Sequence, residues 1–190
     1  MTNLYISLFN SSRQKEFYTC VENNLKVFDN VIILKEGEFN LPDYDVTILP
    51  VSCRPTFRTF FRAINHLTNP NDINVIANSD IYFKEKPIAP KVNQCFALTR
   101  WEGDRFLNMA DSQDVWAFLG QVKIPRYCDF HIGIRGCDNR VAYELKINGY
   151  EVLNPSLTIK TYHLHSVPTD HHATGKLVHT PYFKPIPCTL

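Results

Sequence analysis

Between Asn3 and Ala77 short apolar runs alternate with amphipathic stretches, and this alternation limits the fold more than any other feature of the chain. Residues 3–9 carry Leu4, Tyr5, Ile6, Leu8 and Phe9, which suits a strand. Asn10-Ser11-Ser12 then supplies helix N-cap chemistry, with Gln14 placed as the capping-box partner of Ser11. Phe17, Cys20, Val21 and Leu25 fall on one face of the helix that follows. Residues 30–34 read as a second strand, 35–44 as a polar loop, and 45–49 as a third strand stopped by Pro50. Pro55 suits the first position of a second helix, where its missing N–H costs nothing. In that helix Phe57, Phe60, Phe61, Ile64 and Leu67 make an apolar stripe. Residues 73–77 close the series as a buried strand. Strand, helix, strand, strand, helix, strand predicts an α/β sheet of the nucleotide-binding kind, with right-handed crossovers.

The last of these strands ends on Asn78-Ser79-Asp80 before apolar character resumes at Ile81. In open α/β sheets ligands sit in the crevice outside the carboxyl ends of the strands. A carboxylate at such an end can hold a divalent metal against a phosphate. The same three residues are also ordinary turn chemistry.

The second half is less regular. Residues 95–99 and 112–118 read as strands, the latter headed by Gln113 and Asp114. Gly133, Gly136 and Cys137 form a loop, and Asp138-Asn139 is placed to cap a helix that turns Val141, Ala142 and Leu145 inward and ends at Asn148-Gly149. Residues 158–165 read as a last strand, with His163 and His165 on one face because strand side chains repeat every two residues. Beyond Ser166 the chain is rich in Pro and His and reads as a wrapping tail, an end compatible with one domain of a longer protein.

A length of 190 residues, 44% hydrophobic and 21% charged, fits one ordinary globular domain. The formal net charge of +1 gives no electrostatic case for nucleic acid, and no apolar run is long enough to span a bilayer. The start lacks the basic region of a signal peptide, and six cysteines are scattered without a C-x-x-C pair. Buried free thiols in the cytoplasm are therefore expected.

No glycine-rich phosphate loop, nucleophile elbow or H-E-x-x-H motif occurs, and with 7 glycines a glycine cradle for phosphate has no place in the chain. A metal-assisted site is the remaining route to phosphate chemistry. Asp80, His163 and His165 are the best ligand set for Mn2+ or Mg2+, the imidazoles favouring Mn2+. A four-histidine zinc site adding His171 and His172 has no matching spacing. Arg54, Arg58 and Arg62 recur every fourth position, either as a solvated edge or as cations facing a diphosphate. Asp138 reads as a helix cap or as a general base held at a cleft. Asp114 could meet sugar hydroxyls, and Trp101 and Trp116 could stack on sugar faces or simply fill the core.

Five motifs in order, Ala77-Asn78-Ser79-Asp80-Ile81-Tyr82-Phe83, Leu98-Thr99-Arg100-Trp101, Ser112-Gln113-Asp114-Val115-Trp116, Gly136-Cys137-Asp138-Asn139-Arg140 and Tyr162-His163-Leu164-His165, resemble a small family of GT-A glycosyltransferases, among them domains of chlorella virus proteins of capsid glycan synthesis. The resemblance covers nearly the whole chain. It implies a GT-A fold: a Rossmann-like nucleotide-binding half over about residues 1–83, an acceptor and catalytic half over 84–165, and a tail over 166–190. It also implies a UDP-sugar donor, a glycan or glycoprotein acceptor, a divalent cation, transfer with inversion, and a monomeric domain in the host cytoplasm if the protein is viral. In the family's D-x-D-like motif the last carboxylate matches Asp80, while Asn78 stands at the first position as a donor-side residue beside Ser79. His165, or else His163, completes the metal site. Asp138 matches the catalytic base, with Asp114 in reserve. Phe9, Asn10, Arg54, Arg58 and Arg100 belong to the nucleotide-sugar side. Two other classes stay open on the residues alone: a sugar-nucleotide nucleotidyltransferase, and a non-catalytic nucleotide-sugar or glycan-binding module.

Overall fold

The computed structural model describes residues 1–165 and 177–190. Its elements are β1 (Thr2–Phe9), α1 (Gln14–Asn24), β2 (Asn30–Glu36), β3 (Thr47–Val51), α2 (Phe57–Leu67), β4 (Ile73–Ala77), β5 (Ile81–Tyr82), β6 (Gln94–Leu98), β7 (Trp101–Glu102), β8 (Arg105–Phe106), β9 (Val115–Leu119), α3 (Cys137–Ile147), β10 (Glu151–Leu153) and β11 (Tyr162–His163). Seven strands form a mixed central sheet in the order β10-β6-β9-β4-β1-β2-β3, and β5, β11, β7 and β8 form a small second sheet. The expected α/β architecture is present, and it is compatible with a Rossmann-like fold.

The sheet is built on β1, which pairs in parallel with β2 on one side and β4 on the other. Alternation along β1 sends Leu4, Ile6 and Leu8 to the layer of Phe17 and Val21 from α1, and Tyr5 to the layer of α2 and α3. The second layer is the more aromatic. Phe57 meets Trp116 edge-to-face at 4.9 Å, and Phe61 meets Phe118 at 5.7 Å. β9 is the exception to the parallel pattern: it runs antiparallel to both β4 and β6, with Ala77 opposite Val115. Residues that follow β4 and β6 and residues that precede β9 thus emerge at one edge.

Several expectations need correcting at element ends. β3 continues through Pro50 to Val51, because it is the edge strand of the sheet and one side of its backbone owes no hydrogen bond. Pro55 lies outside α2, whose N-cap is Thr56, with Thr59 completing a reciprocal capping box. Leu67 closes α2 in an exposed position, so the buried stripe ends at Ile64. The N-cap of α1 is Arg13, and the Ser11 hydroxyl accepts from the Arg13 amide instead of capping the helix. Asp138 is not the cap of α3: Gly136 is, at φ 82°, and Asp138 is the second helical residue. A side chain at Gly136 would collide with the Tyr182 hydroxyl and the Val178 carbonyl, so glycine is required there for space as well as for backbone angle. Only Tyr162 and His163 of the expected last strand are in β11.

All six cysteines are free, four of them buried. Among the described residues no helix is long and apolar enough to cross a membrane. The described end of the tail does pack on the domain: Leu177 bridges to Arg135, Phe183 donates its amide to the Asn139 carbonyl, and Pro187 bridges to Asn154. His171 and His172 lie outside the described residues.

The aromatic layer carries a prediction. Phe57 is fully buried against Trp116, Phe61 and Phe130. Phe57→Ala should cost about 3–5 kcal/mol in urea unfolding, whereas Leu67→Ala at the exposed end of the same helix should cost under about 1 kcal/mol.

Candidate functional site

A cleft of about 480 Å³ opens at the edge where β1, β4 and β6 end and β9 begins. Ser7, Phe9, Arg13, Asn78, Asp80, Arg100, Ser112 and Asp114 line it from the strands and their ends, the loop before α3 contributes Gly133 and Arg135, and the first turn of α3 contributes Cys137 and Asp138. The tail pins that loop from outside, since the Val178 amide donates to the Arg135 carbonyl and Arg140 grips the carbonyls of His179 and Thr180.

One wall holds Asp80, His163 and His165, each offering a ligand atom, with those atoms all within 4.8 Å of one another. The turn after β4 puts Asp80 there: the Ser79 hydroxyl donates to the Ser7 carbonyl and the Ile81 amide to the Asn78 carbonyl. The Leu164 amide donates to the Asp80 carbonyl at 2.9 Å, which brings the two histidines alongside, their rings stacked at 5.0 Å. Asp80 Oδ2 meets His163 Nε2 at 3.2 Å and Arg13 Nη1 at 3.0 Å. Burial pushes the Asp80 carboxyl up, but His163 and Arg13 outweigh it and hold its pKa below the ordinary value. His165 is pushed down, first by burial and then by the charges of Arg13 and His163, which favours the neutral imidazole that a metal needs. One carboxylate and two imidazoles at this spacing fit a divalent cation with open positions left for a ligand.

The same cleft also holds a carboxylate pair with unequal roles. Asp114 is buried and has both oxygens engaged, Oδ1 by the Asn78 amide at 2.8 Å and Oδ2 by Arg100 Nη1 at 2.9 Å. Asp138 accepts from the Cys137 thiol at 3.0 Å. Its pKa is pushed up to about 7, first by burial and then by the negative charge of Asp114. The pair therefore holds one carboxylate bound to Arg100 and one carboxyl poised to exchange a proton near neutrality.

Four arginines reach the cleft, and they divide by partner. Arg13 and Arg100 are bound to Asp80 and Asp114. Arg54 lies over the Phe9 ring at 5.1 Å, and neither Arg54 nor Arg135 has a carboxylate partner among the described residues. These two are free to meet an anion.

The residues singled out from the sequence separate accordingly. Asp80, His163, Asn78, Ser79, Asp114, Asp138, Arg54, Arg100 and Phe9 line the one cleft, with His165 beside Asp80. Arg58 does not. It turns to the 125–129 loop, donating to the Arg126 carbonyl at 2.6 Å, and Arg62 is exposed, so the arginine row does not converge. Asn10 is exposed and outside the cleft lining. Trp116 is fully buried in the core, and Trp101 packs on Phe106 and donates to the Ser156 carbonyl, so neither lines the cleft. Asn78 spends its amide on Asp114, an interaction within the protein where a donor contact was expected.

Sequence reasoning missed Arg13, Ser112 and Arg135. Arg13 follows the first strand and Arg135 stands in the Gly133–Gly136 loop, so position at strand and helix ends was the available signal. No protein-family model matches the chain, and no curated protein matches it. The chemistry of the cleft therefore has to be argued from its residues.

The raised Asp138 pKa sets a stability test. The unfolded carboxyl titrates near 3.8 and the folded one at about 7, so the folded state binds the extra proton between them. Its contribution is full below the unfolded value and lost as pH rises through the folded one. Asp138→Asn, which cannot ionise, should gain Tm relative to wild type across that window and plateau above it. A Tm difference that does not change with pH would refute the assignment.

Proposed function

We propose that the chain is a metal-dependent glycosyltransferase of the GT-A type, moving a sugar from a UDP-sugar to a hydroxyl of a glycan acceptor with inversion. The observation that carries this reading is that Asp138, with a pKa of about 7, lines the same cleft as the Asp80–His163 wall. A base, a cation site and two arginines without a carboxylate partner among the described residues, all in one crevice, match what transfer from a nucleoside diphosphate requires.

Asp80, His163 and His165 would hold the cation. When bound, Mn2+ or Mg2+ supplies positive charge against the leaving diphosphate. Arg54 and Arg135 supply charge-assisted hydrogen bonds to the same oxyanions. Phe9, at the end of β1, lines the cleft with Arg54 over its ring, which places an aromatic side chain beside one of the two arginines. Asp138 takes the proton of the acceptor hydroxyl as that oxygen attacks the anomeric carbon, and its tuned pKa keeps the proton transfer balanced near neutral pH. Asp114 already holds Asn78 on one oxygen and Arg100 on the other. Its role is to anchor Arg100 and Asn78 and to raise the pKa of Asp138.

The mixed sheet, with one antiparallel strand between β4 and β6, and a small second sheet carrying His163 are compatible with a GT-A arrangement. The choice of UDP rests on the sequence resemblance.

Two measurements test the proposal. UDP and Mn2+ together should raise Tm by more than either alone, because a ligand that binds only the folded state stabilises it in proportion to its saturation. The absence of any shift across UDP, GDP and UDP-sugars with Mn2+ would sink the reading. Asp138→Asn should cut transfer by about 10²–10⁴-fold while leaving the UDP–Mn2+ shift intact. Transfer at a near wild-type rate would remove Asp138 from the mechanism. Release of pyrophosphate from UTP and a sugar 1-phosphate would instead point to nucleotidyl transfer.

A further inference from the structure

Arg13 stands at the N-cap of α1, just past the end of β1, and its side chain is only 12% exposed. All three guanidinium nitrogens are engaged. Nε donates to Glu16 Oε2 at 2.6 Å, Nη1 to Asp80 Oδ2 at 3.0 Å and Nη2 to the Leu164 carbonyl at 3.2 Å. The oxygen that Arg13 holds is the one that also meets His163 Nε2.

That oxygen and that imidazole nitrogen belong to two of the three side chains of the candidate metal site. A guanidinium fixed on Asp80 Oδ2 competes with any second cation there by direct occupancy and by repulsion in a half-buried site, where water screens poorly. Arg13 also lines the cleft together with Arg54 and Arg135, so an anion in the cleft would find a third arginine within its walls. An incoming diphosphate would offer the guanidinium a second set of oxygens, in the bidentate geometry that arginine favours.

We infer that Arg13 is the resident counter-cation of the metal site: it holds Asp80 against a divalent cation arriving alone and transfers to the anionic group of a nucleoside diphosphate when metal and nucleotide arrive together. The inference rests on the metal-dependent reading above and makes binding of the two ligands cooperative. The plain alternative is that Arg13 only braces the His163-Leu164-His165 segment through the Leu164 carbonyl. The two roles predict opposite signs. Removing a competing cation tightens metal binding, whereas removing a brace loosens it.

The experiment is a calorimetric titration of Mn2+, with and without UDP, into wild type, Arg13→Gln and Arg13→Met, each first checked for its native far-UV spectrum and melting transition. Arg13→Met is included because its unbranched chain removes the charge while its sulfur can take up the contact with the Phe17 ring, which the guanidinium carbon makes at 5.4 Å. Both variants should bind Mn2+ alone at least about tenfold tighter than wild type, a step of one decade in Kd. Both should also gain less Mn2+ affinity from UDP than wild type gains. Equal or weaker binding of Mn2+ alone by a folded variant, while wild type still shows UDP-dependent Mn2+ binding, overturns the inference and leaves the metal site standing. If wild type binds Mn2+ neither alone nor with UDP, the metal reading fails and this inference falls with it.

Discussion

Because β9 runs antiparallel to β4, with Ala77 opposite Val115, the chain leaving β4 and the chain entering β9 meet at the same edge of the sheet. The backbone continues that pairing one step further, with the Asn78 amide donating to the Asp114 carbonyl at 3.0 Å. The two side chains repeat the contact, Asn78 Nδ2 to Asp114 Oδ1. Asp80 and Asp114, distant in sequence, are thereby both fixed in one cleft, and Asp138 is added by the helix that follows. Had β9 run parallel, Asp114 would sit at the far end of the strands, away from Asp80.

Electrostatics then divides these carboxylates. Asp80 has cationic and imidazole partners that outweigh its burial, so it is kept ionised. Asp138 has burial and a neighbouring anion against it, with Arg100 only partly offsetting them, so its proton is retained to about pH 7. The difference comes from partners, since both residues lie in the same cleft. This separation, one carboxylate for a cation and one carboxyl for a proton, is the physical basis of the proposed glycosyl transfer.

Polar side chains buried behind the cleft hold this arrangement. The Asn24 side chain donates to the Ile81 carbonyl and accepts from the Phe83 amide, setting β5 after the turn that carries Asp80. Asn154 and Ser156 both take the Thr99 amide, which fixes the residue before Arg100. Such groups would be costly to bury unpaired, so each pairing specifies one position of the strand it serves.

The strands and helices of the first half were legible because apolar periodicity is local: the runs around Leu4 to Phe9 and Ile73 to Ala77, and the Phe57 to Ile64 stripe, carry their own period. The candidate residues Asp80, His163, His165, Asp114 and Asp138 were legible too, as polar groups standing at the ends of such runs. What the sequence could not decide was pairing. The Asn78 amide goes to Asp114, Arg58 goes to the Arg126 carbonyl, Trp116 goes to the core, and Arg13 goes to Asp80. Each of these choices depends on strand direction or on which long side chain reaches which neighbour across tens of residues. Those are properties of the folded sheet, because a side chain's period along the chain says which face it is on but not what stands opposite.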